Sequence, residues 1–263
     1  MQIHANNLAL SAGRGPVYGP LTFNLDGGLS VLRGDAGSGR TSLLLTLAGR
    51  MKHDDGTLLV AGLGLPRQLR AVQTLSAVAG FSGIDSLEES VTVGATLRER
   101  LAWLSPWWSV VRKLDDDAVA NICAPVFGEQ PIPAAGTLIW DLDETEKFLL
   151  RIALALMGRP KVLFVDDIEQ IRNSDSRAIV WHRLAAVAAK HTDVVVSASS
   201  LDAALWEDLD MTPHIIDISA DTPTANIADD SGTAADSAAP GPAVVPGMET
   251  ETTPLHELIK ESV

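Results

Sequence analysis

Gly34-Asp35-Ala36-Gly37-Ser38-Gly39-Arg40-Thr41-Ser42 stands between a short apolar run, Leu29-Ser30-Val31-Leu32-Arg33, and an apolar stretch, Leu43-Leu44-Leu45-Thr46-Leu47-Ala48. The pattern predicts strand, glycine loop and helix in that order. In such a loop the glycines let backbone N–H groups turn inward around a polyphosphate, and the helix start adds the favourable end of its dipole. The spacing GxxxxG, then a cation, then a hydroxyl residue is met in full, with Arg40 where lysine is the rule. Glycine spacing, hydroxyl position and flanking elements together separate it from a chance Gly-rich turn. Residues 34 to 42 are therefore the candidate phosphate ligands. Arg40 keeps the charge, but a guanidinium is larger, planar and more rigid than an ammonium, so weakened nucleotide affinity and weaker transition-state stabilisation are expected.

Farther along, Lys161-Val162-Leu163-Phe164-Val165 is a near-continuous apolar run, as expected of a strand buried on both faces of a parallel sheet, and it ends in Asp166-Asp167. Open α/β sheets place their chemistry at the carboxyl ends of strands. Thr41 and Asp166 are the candidate Mg²⁺ ligands, and Asp167 is the candidate group to orient an attacking water. A solvated loop start is the alternative reading of both aspartates; the phosphate loop 132 residues earlier weighs against it for Asp166 and leaves Asp167 open. A helix over Arg177 to Lys190 and a further strand over Asp193 to Ala198 complete an alternation that argues for an α/β fold, a parallel sheet with covering helices.

The 263 residues are 46% hydrophobic and 21% charged, which excludes collagen-like and wholly disordered chains. The net charge of −14 argues against a surface that attracts nucleic acid by bulk charge. One cysteine, Cys123, permits neither an intramolecular disulfide nor a thiolate-rich zinc site, and the six histidines show no helical metal spacing. No apolar run approaches the roughly 18 residues a spanning helix needs, and the opening MQIHANNLALSAGRG lacks a basic stretch followed by an apolar one, so neither a transmembrane segment nor a secretory leader is expected. Charge is uneven: residues 1 to 190 carry a net −1, residues 191 to 263 a net −13. Residues 219–253, rich in Ala, Pro, Thr and acidic side chains, are expected to be a flexible tail. Residues 254–263 carry a short helix signal with Leu255, Leu258 and Ile259 on one face; a docking helix and a frayed end both fit it.

Two blocks, GDAGSGRTSLLLTLAGRMKHDDGTLLVAGL and GRPKVLFVDD, resemble the nucleotide-binding subunit of ATP-binding cassette (ABC) transporters, a likeness that covers residues 1–218. The resemblance implies a P-loop NTPase fold of ABC type, with a mostly parallel sheet, an antiparallel β subdomain near the amino terminus and a helical subdomain at about 82–158. It implies ATP and Mg²⁺ as cofactors, a separate membrane permease as partner, a head-to-tail homodimer or heterodimer with another ABC ATPase, and a place at the cytoplasmic face of a membrane. Nucleic acid is not an implied partner.

Against that family pattern several positions differ. After the strand expected over Leu75 to Phe81, no glutamine stands between Val78 and Val93, where the Q-loop belongs; Ser82-Gly83-Ile84-Asp85 fills the place. The signature LSGGQ aligns with Leu142-Asp143-Glu144-Thr145-Glu146, whose carboxylates would repel a phosphate. The catalytic glutamate is the shorter Asp167, SALD aligns with Gln170-Ile171-Arg172-Asn173, and the switch histidine is Ser199. Ser11-Ala12 stand where an aromatic would stack on adenine, with Tyr18 offset by several residues. If three such changes cost about tenfold each, roughly 4 kcal/mol of transition-state stabilisation is lost. Slow or partner-dependent hydrolysis is expected. The competing expectations are a non-hydrolysing regulatory or scaffold module on a membrane partner, and a soluble P-loop enzyme acting on another nucleotide.

Trp103-Leu104-Ser105-Pro106-Trp107-Trp108-Ser109-Val110-Val111 packs three of the six tryptophans into nine residues. The general burial of tryptophan favours the core of the helical subdomain. By family resemblance the same side receives a cytoplasmic helix of the permease, where exposed aromatic anchors suit an interface.

Overall fold

The computed structural model describes residues 1–190, 192–199, 206, 209 and 211–218. The expected tail at 219–253 and the short helix at 254–263 lie outside the described residues. In chain order the elements are β1 (Ile3–Ala12), β2 (Gly15–Leu25), β3 (Leu29–Arg33), α1 (Arg40–Leu47), β4 (Asp55–Val60), β5 (Leu63–Leu65), α2 (Leu69–Leu75), β6 (Ser76–Ala79), α3 (Val93–Leu104), α4 (Asp116–Phe127), α5 (Glu144–Leu156), β7 (Val162–Val165), α6 (Ser174–Ala188), β8 (Asp193–Ala198) and β9 (His214–Asp217).

Two sheets organise them: an antiparallel one in the order β2-β1-β4-β5 and a five-stranded one in the order β6-β7-β8-β3-β9. Every pairing in the second is parallel. Side chains alternate across a strand, so Leu163 and Val165 enter one core with α4, α5 and α6, whereas Val162 and Phe164 enter another with α1 and the antiparallel sheet. Both faces of β7 are thus covered, which is why its sequence is apolar without alternation. Cys123 lies in the first of these cores, where burial pushes its thiol up to about 11.

Two boundaries depart from the sequence expectation. Leu75 closes α2 instead of opening the next strand, which spans only Ser76–Ala79. The helix expected from Arg177 begins three residues earlier, because the Asn173 side chain accepts the N–H groups of Asp175 and Ser176 and so caps it. Helices α3, α4 and α5 fall within the expected helical span of 82–158.

Candidate functional site

The loop from Gly34 to Gly39 joins β3 to α1. The Gly34 N–H donates to the Ala198 carbonyl of β8 at 3.2 Å, and the Ser38 N–H to the Asp35 carbonyl at 3.1 Å. Added Cβ atoms would lie 2.5 Å from Ser38 Oγ at Gly34 and 2.2 Å from the Val17 carbonyl oxygen at Gly39, where φ is +84°. Glycine is therefore required at Gly39, while at Gly34 an added Cβ would displace the Ser38 side chain. Gly39 is the N-cap of α1 and offers no side-chain acceptor to the first-turn N–H groups, which leaves them to an external anion.

Asp166 follows β7 and is buried, its two oxygens accepting from Thr41 Oγ1 and Ser197 Oγ, each at 2.6 Å. Ser197 Oγ in turn accepts the Asp167 N–H at 2.9 Å. Asp167 has φ 47° and ψ 63°, a left-handed conformation that aspartate tolerates better than most residues. Burial raises the Asp167 carboxyl above the usual range, with the charges of Glu169 and Asp166 adding to the effect and Arg40 opposing it.

Whether nucleotide and metal suit this site is decided by its polar atoms. Ser38 Oγ and Arg40 Nη1 are buried with no hydrogen-bond partner among the described residues. Buried polar groups are ordinarily satisfied, and two such donors in one glycine loop are what a phosphate would satisfy. Thr41 and Asp166 supply the hard oxygen donors that Mg²⁺ prefers. Among the described residues no group of three or more His, Cys, Asp or Glu is arranged for a metal, so phosphate and water oxygens would have to complete the coordination, which is the habit of Mg²⁺. The residues present fit both groups.

The positions that differ from the family pattern have partners of their own. Asp85, in the place of the Q-loop, accepts the Gly80 N–H and takes a bidentate bond from Arg151 of α5. Arg151 also donates to Gln170 Oε1, and Gln170 Nε2 donates to the carbonyls of Gly80 and Asp167. In the acidic signature, Asp143 Oδ1 accepts the Glu146 N–H at 2.7 Å and Glu146 Oε2 accepts the Asp143 N–H at 2.9 Å. This capping box consumes donors at the start of α5 that a phosphate would use. Ser199 gives its N–H and its hydroxyl to Glu169 Oε1, and Glu169 pairs with Arg40 at 3.8 Å. Tyr18 is buried with its hydroxyl on Thr46 Oγ1, so it is no stacking platform for a base.

The reading of the tryptophan cluster as core is overturned: Trp103, Trp107 and Trp108 are 79%, 91% and 71% exposed. Pro106 and the turn after it carry the chain away from the end of α3. Trp103 lines a cleft of about 820 Å³ together with Arg50, Ser76, Asp85, Arg100 and Arg151 among others.

Sequence reasoning missed Glu169, Ser197 and Arg151, and read Gln170 only as a departure from SALD. Only Arg151, a lone cation in the run Phe148-Leu149-Leu150-Arg151-Ile152-Ala153-Leu154, carried a local signal.

A parallel sheet in this order with a glycine loop between β3 and α1 is the architecture of a P-loop NTPase. It matches an ABC transporter ATP-binding protein from Pyrococcus furiosus with a TM-score of 0.62 at 15% identity, over 83% of this chain and 98% of that one. By sequence it is 25% identical over 201 residues to the Nod factor export ATP-binding protein I of Burkholderia orbicola, covering 76% of this chain and 59% of the relative. It is 27% identical over 226 residues to the molybdenum import ATP-binding protein ModC of Mesorhizobium japonicum, covering 73% and 56%. No family model matches. The chain has the α/β fold of ABC-type P-loop domains and is similar in sequence to ABC transporter ATP-binding proteins, and it spans less than three fifths of the length of these two curated relatives. No helix among the described residues is long and apolar enough to cross a membrane.

Proposed function

We propose that this chain is the ATP-binding subunit of an ABC-type membrane transporter, binding Mg-ATP at its variant phosphate loop and acting on a separate permease at the cytoplasmic face. The observation that carries this reading is the pair of buried donors without a hydrogen-bond acceptor among the described residues, Ser38 Oγ and Arg40 Nη1, in the glycine loop whose next residue, Thr41, is bonded to Asp166. Residues 34–42 would hold the phosphates, and Thr41 and Asp166 the metal. When bound, Mg²⁺ neutralises phosphate charge and stabilises charge that develops during transfer. Arg40 would place its guanidinium beside the phosphates, and Asp167, reached by solvent beside buried Asp166, is the group to orient water.

The test is calorimetry of the purified chain with Mg-ATP, with Arg40→Lys beside it. Micromolar affinity in the wild type is expected, and an increase of about tenfold in Arg40→Lys, because the compact ammonium suits the β- and γ-phosphates better. Absence of binding in both would sink the reading.

One observation favours a second reading, a non-hydrolysing regulatory module. The capping box at α5 leaves the signature position of this chain unable to cradle a phosphate from a partner, so a homodimer would hold two incomplete sites. A heterodimer whose other subunit supplies that helix start keeps one complete site and suits partner-dependent hydrolysis.

The exposed Trp107 and Trp108, which follow the cleft-lining Trp103 in sequence, support the permease-facing side as the place of docking. The Trp107→Ala/Trp108→Ala chain is expected to melt within about 2 °C of the wild type, since exposed side chains contribute little to folding, yet to be lost from membranes in a co-sedimentation assay. A large drop in melting temperature with membrane association intact would contradict this.

A further inference from the structure

Arg40 and Ser199 are positions where this chain differs from the pattern it resembles, and in the structure both meet Glu169. Glu169 stands three residues after Asp166. Its Oε1 accepts both the N–H and the hydroxyl of Ser199, which fixes the carboxylate at the end of β8. Its Oε2 lies 3.8 Å from Arg40 Nη1, close enough for charge attraction and too far for a hydrogen bond. The Arg40 side chain is only 13% exposed. A guanidinium so far from water needs a counter-charge, and the ion pair with Glu169 supplies one. Yet Nη1 itself has no hydrogen-bond acceptor, so a better-placed anion would take it.

We propose that Glu169 is a specificity-determining residue of the phosphate loop: it serves as the counter-ion of Arg40 in the nucleotide-free chain and must yield Arg40 to the phosphate for a nucleotide to bind. The inference rests on the nucleotide-site reading above. A carboxylate fixed beside the loop's cation repels any phosphate that approaches it, so only an anion of higher charge, brought with its metal, displaces it. Arg40 and Glu169 are a matched pair in this account, and the arginine is kept where lysine is the rule because a planar, weakly hydrated cation tolerates a buried ion pair.

Glu169→Gln tests it, since the amide oxygen can still accept from Ser199 while the charge is gone. Two readouts are predicted together. Mg-ATP affinity by calorimetry rises about tenfold, the effect of removing one like charge beside the ligand. The melting temperature without nucleotide falls by roughly 3 °C, because Arg40 is left buried without its counter-charge. Glu169→Asp, which withdraws the charge by one methylene, stands in if the amide variant does not fold, and is expected to tighten binding about threefold. Unchanged or weaker binding in a folded variant, or tighter binding with no fall in melting temperature, would overturn the proposal while leaving the nucleotide site intact. Absence of Mg-ATP binding in wild type, Glu169→Gln and Arg40→Lys alike would overturn the nucleotide site itself, and the proposal with it.

Discussion

Removal of Mg²⁺ with a chelator is expected to weaken ATP binding at least about a hundredfold, close to 2.7 kcal/mol. The reason is the charge around the loop. Arg40 is its one cation, and it already faces Glu169, while Asp166 and Asp167 follow β7 immediately beside it and Asp35 lies within the loop. Two unit charges about 5 Å apart at an effective dielectric of about 20 interact by roughly 3 kcal/mol, so a polyanion meets a net repulsion unless a divalent ion intervenes. Asp166→Asn sharpens the test, because it is isosteric and removes the charge, keeping one acceptor oxygen for Thr41 or Ser197 while its amide NH2 donates to the other hydroxyl. It is expected to weaken Mg-ATP binding and to strengthen binding of metal-free ATP, opposite signs from one substitution. Equal affinity with and without metal in the wild type would mean that the carboxylates do not face the ligand. A variant weakened under both conditions would mean that Asp166 serves packing alone.

What could be read from the chain follows from how far each signal reaches. The loop was legible because its signal is local: glycine spacing, a cation and a hydroxyl stand together between a strand and a helix, and Gly39 holds a positive φ that favours glycine. Strand β7 was legible because burial on both faces leaves an unbroken apolar run. The Leu75 boundary was not, since nothing polar punctuates the step from α2 to β6. The supporting contacts of the site were invisible for a different reason. Ser197 reaches Asp166 across 31 residues and Gln170 reaches Gly80 across 90, pairings that only the sheet order creates. The acidic signature was legible as a repulsive surface, but its capping role needed the helix to start where it does. The tryptophans were misjudged because average burial says nothing about a turn that leaves the body of the domain.

Arg151→Ala is expected to lower the free energy of unfolding by about 3 kcal/mol, the usual range for breaking a largely buried charge pair, and the melting temperature by roughly 5–10 °C. Arg151 and Asp85 are 12% and 20% exposed and meet through two bonds of 2.9 and 2.6 Å. The cost is large because the truncation leaves Asp85 with only the Gly80 N–H and releases Gln170 Oε1, bonded to Arg151 at 2.8 Å. Gln170 in turn holds the carbonyl of Asp167 at 2.8 Å, so the loosened clamp extends to the candidate water-orienting residue. A second consequence follows for function. Arg151 of α5 and Asp85 both lie within the helical span, and through the bonds of Asp85 to the Gly80 N–H and of Arg151 to Gln170 this pair ties that span to the ends of β6 and β7, at the place where the family pattern has its Q-loop. Asp85→Asn/Arg151→Met, neutral and of similar volume, should recover more than half of the lost stability, since the penalty lies in the unpaired charge and not in the missing pair. If the double variant is as unstable as Arg151→Ala, the clamp is held by shape and by Gln170. If Arg151→Ala costs less than about 1 kcal/mol, the pair behaves as a surface ion pair, and the helical span is fastened to the sheet by its apolar core alone.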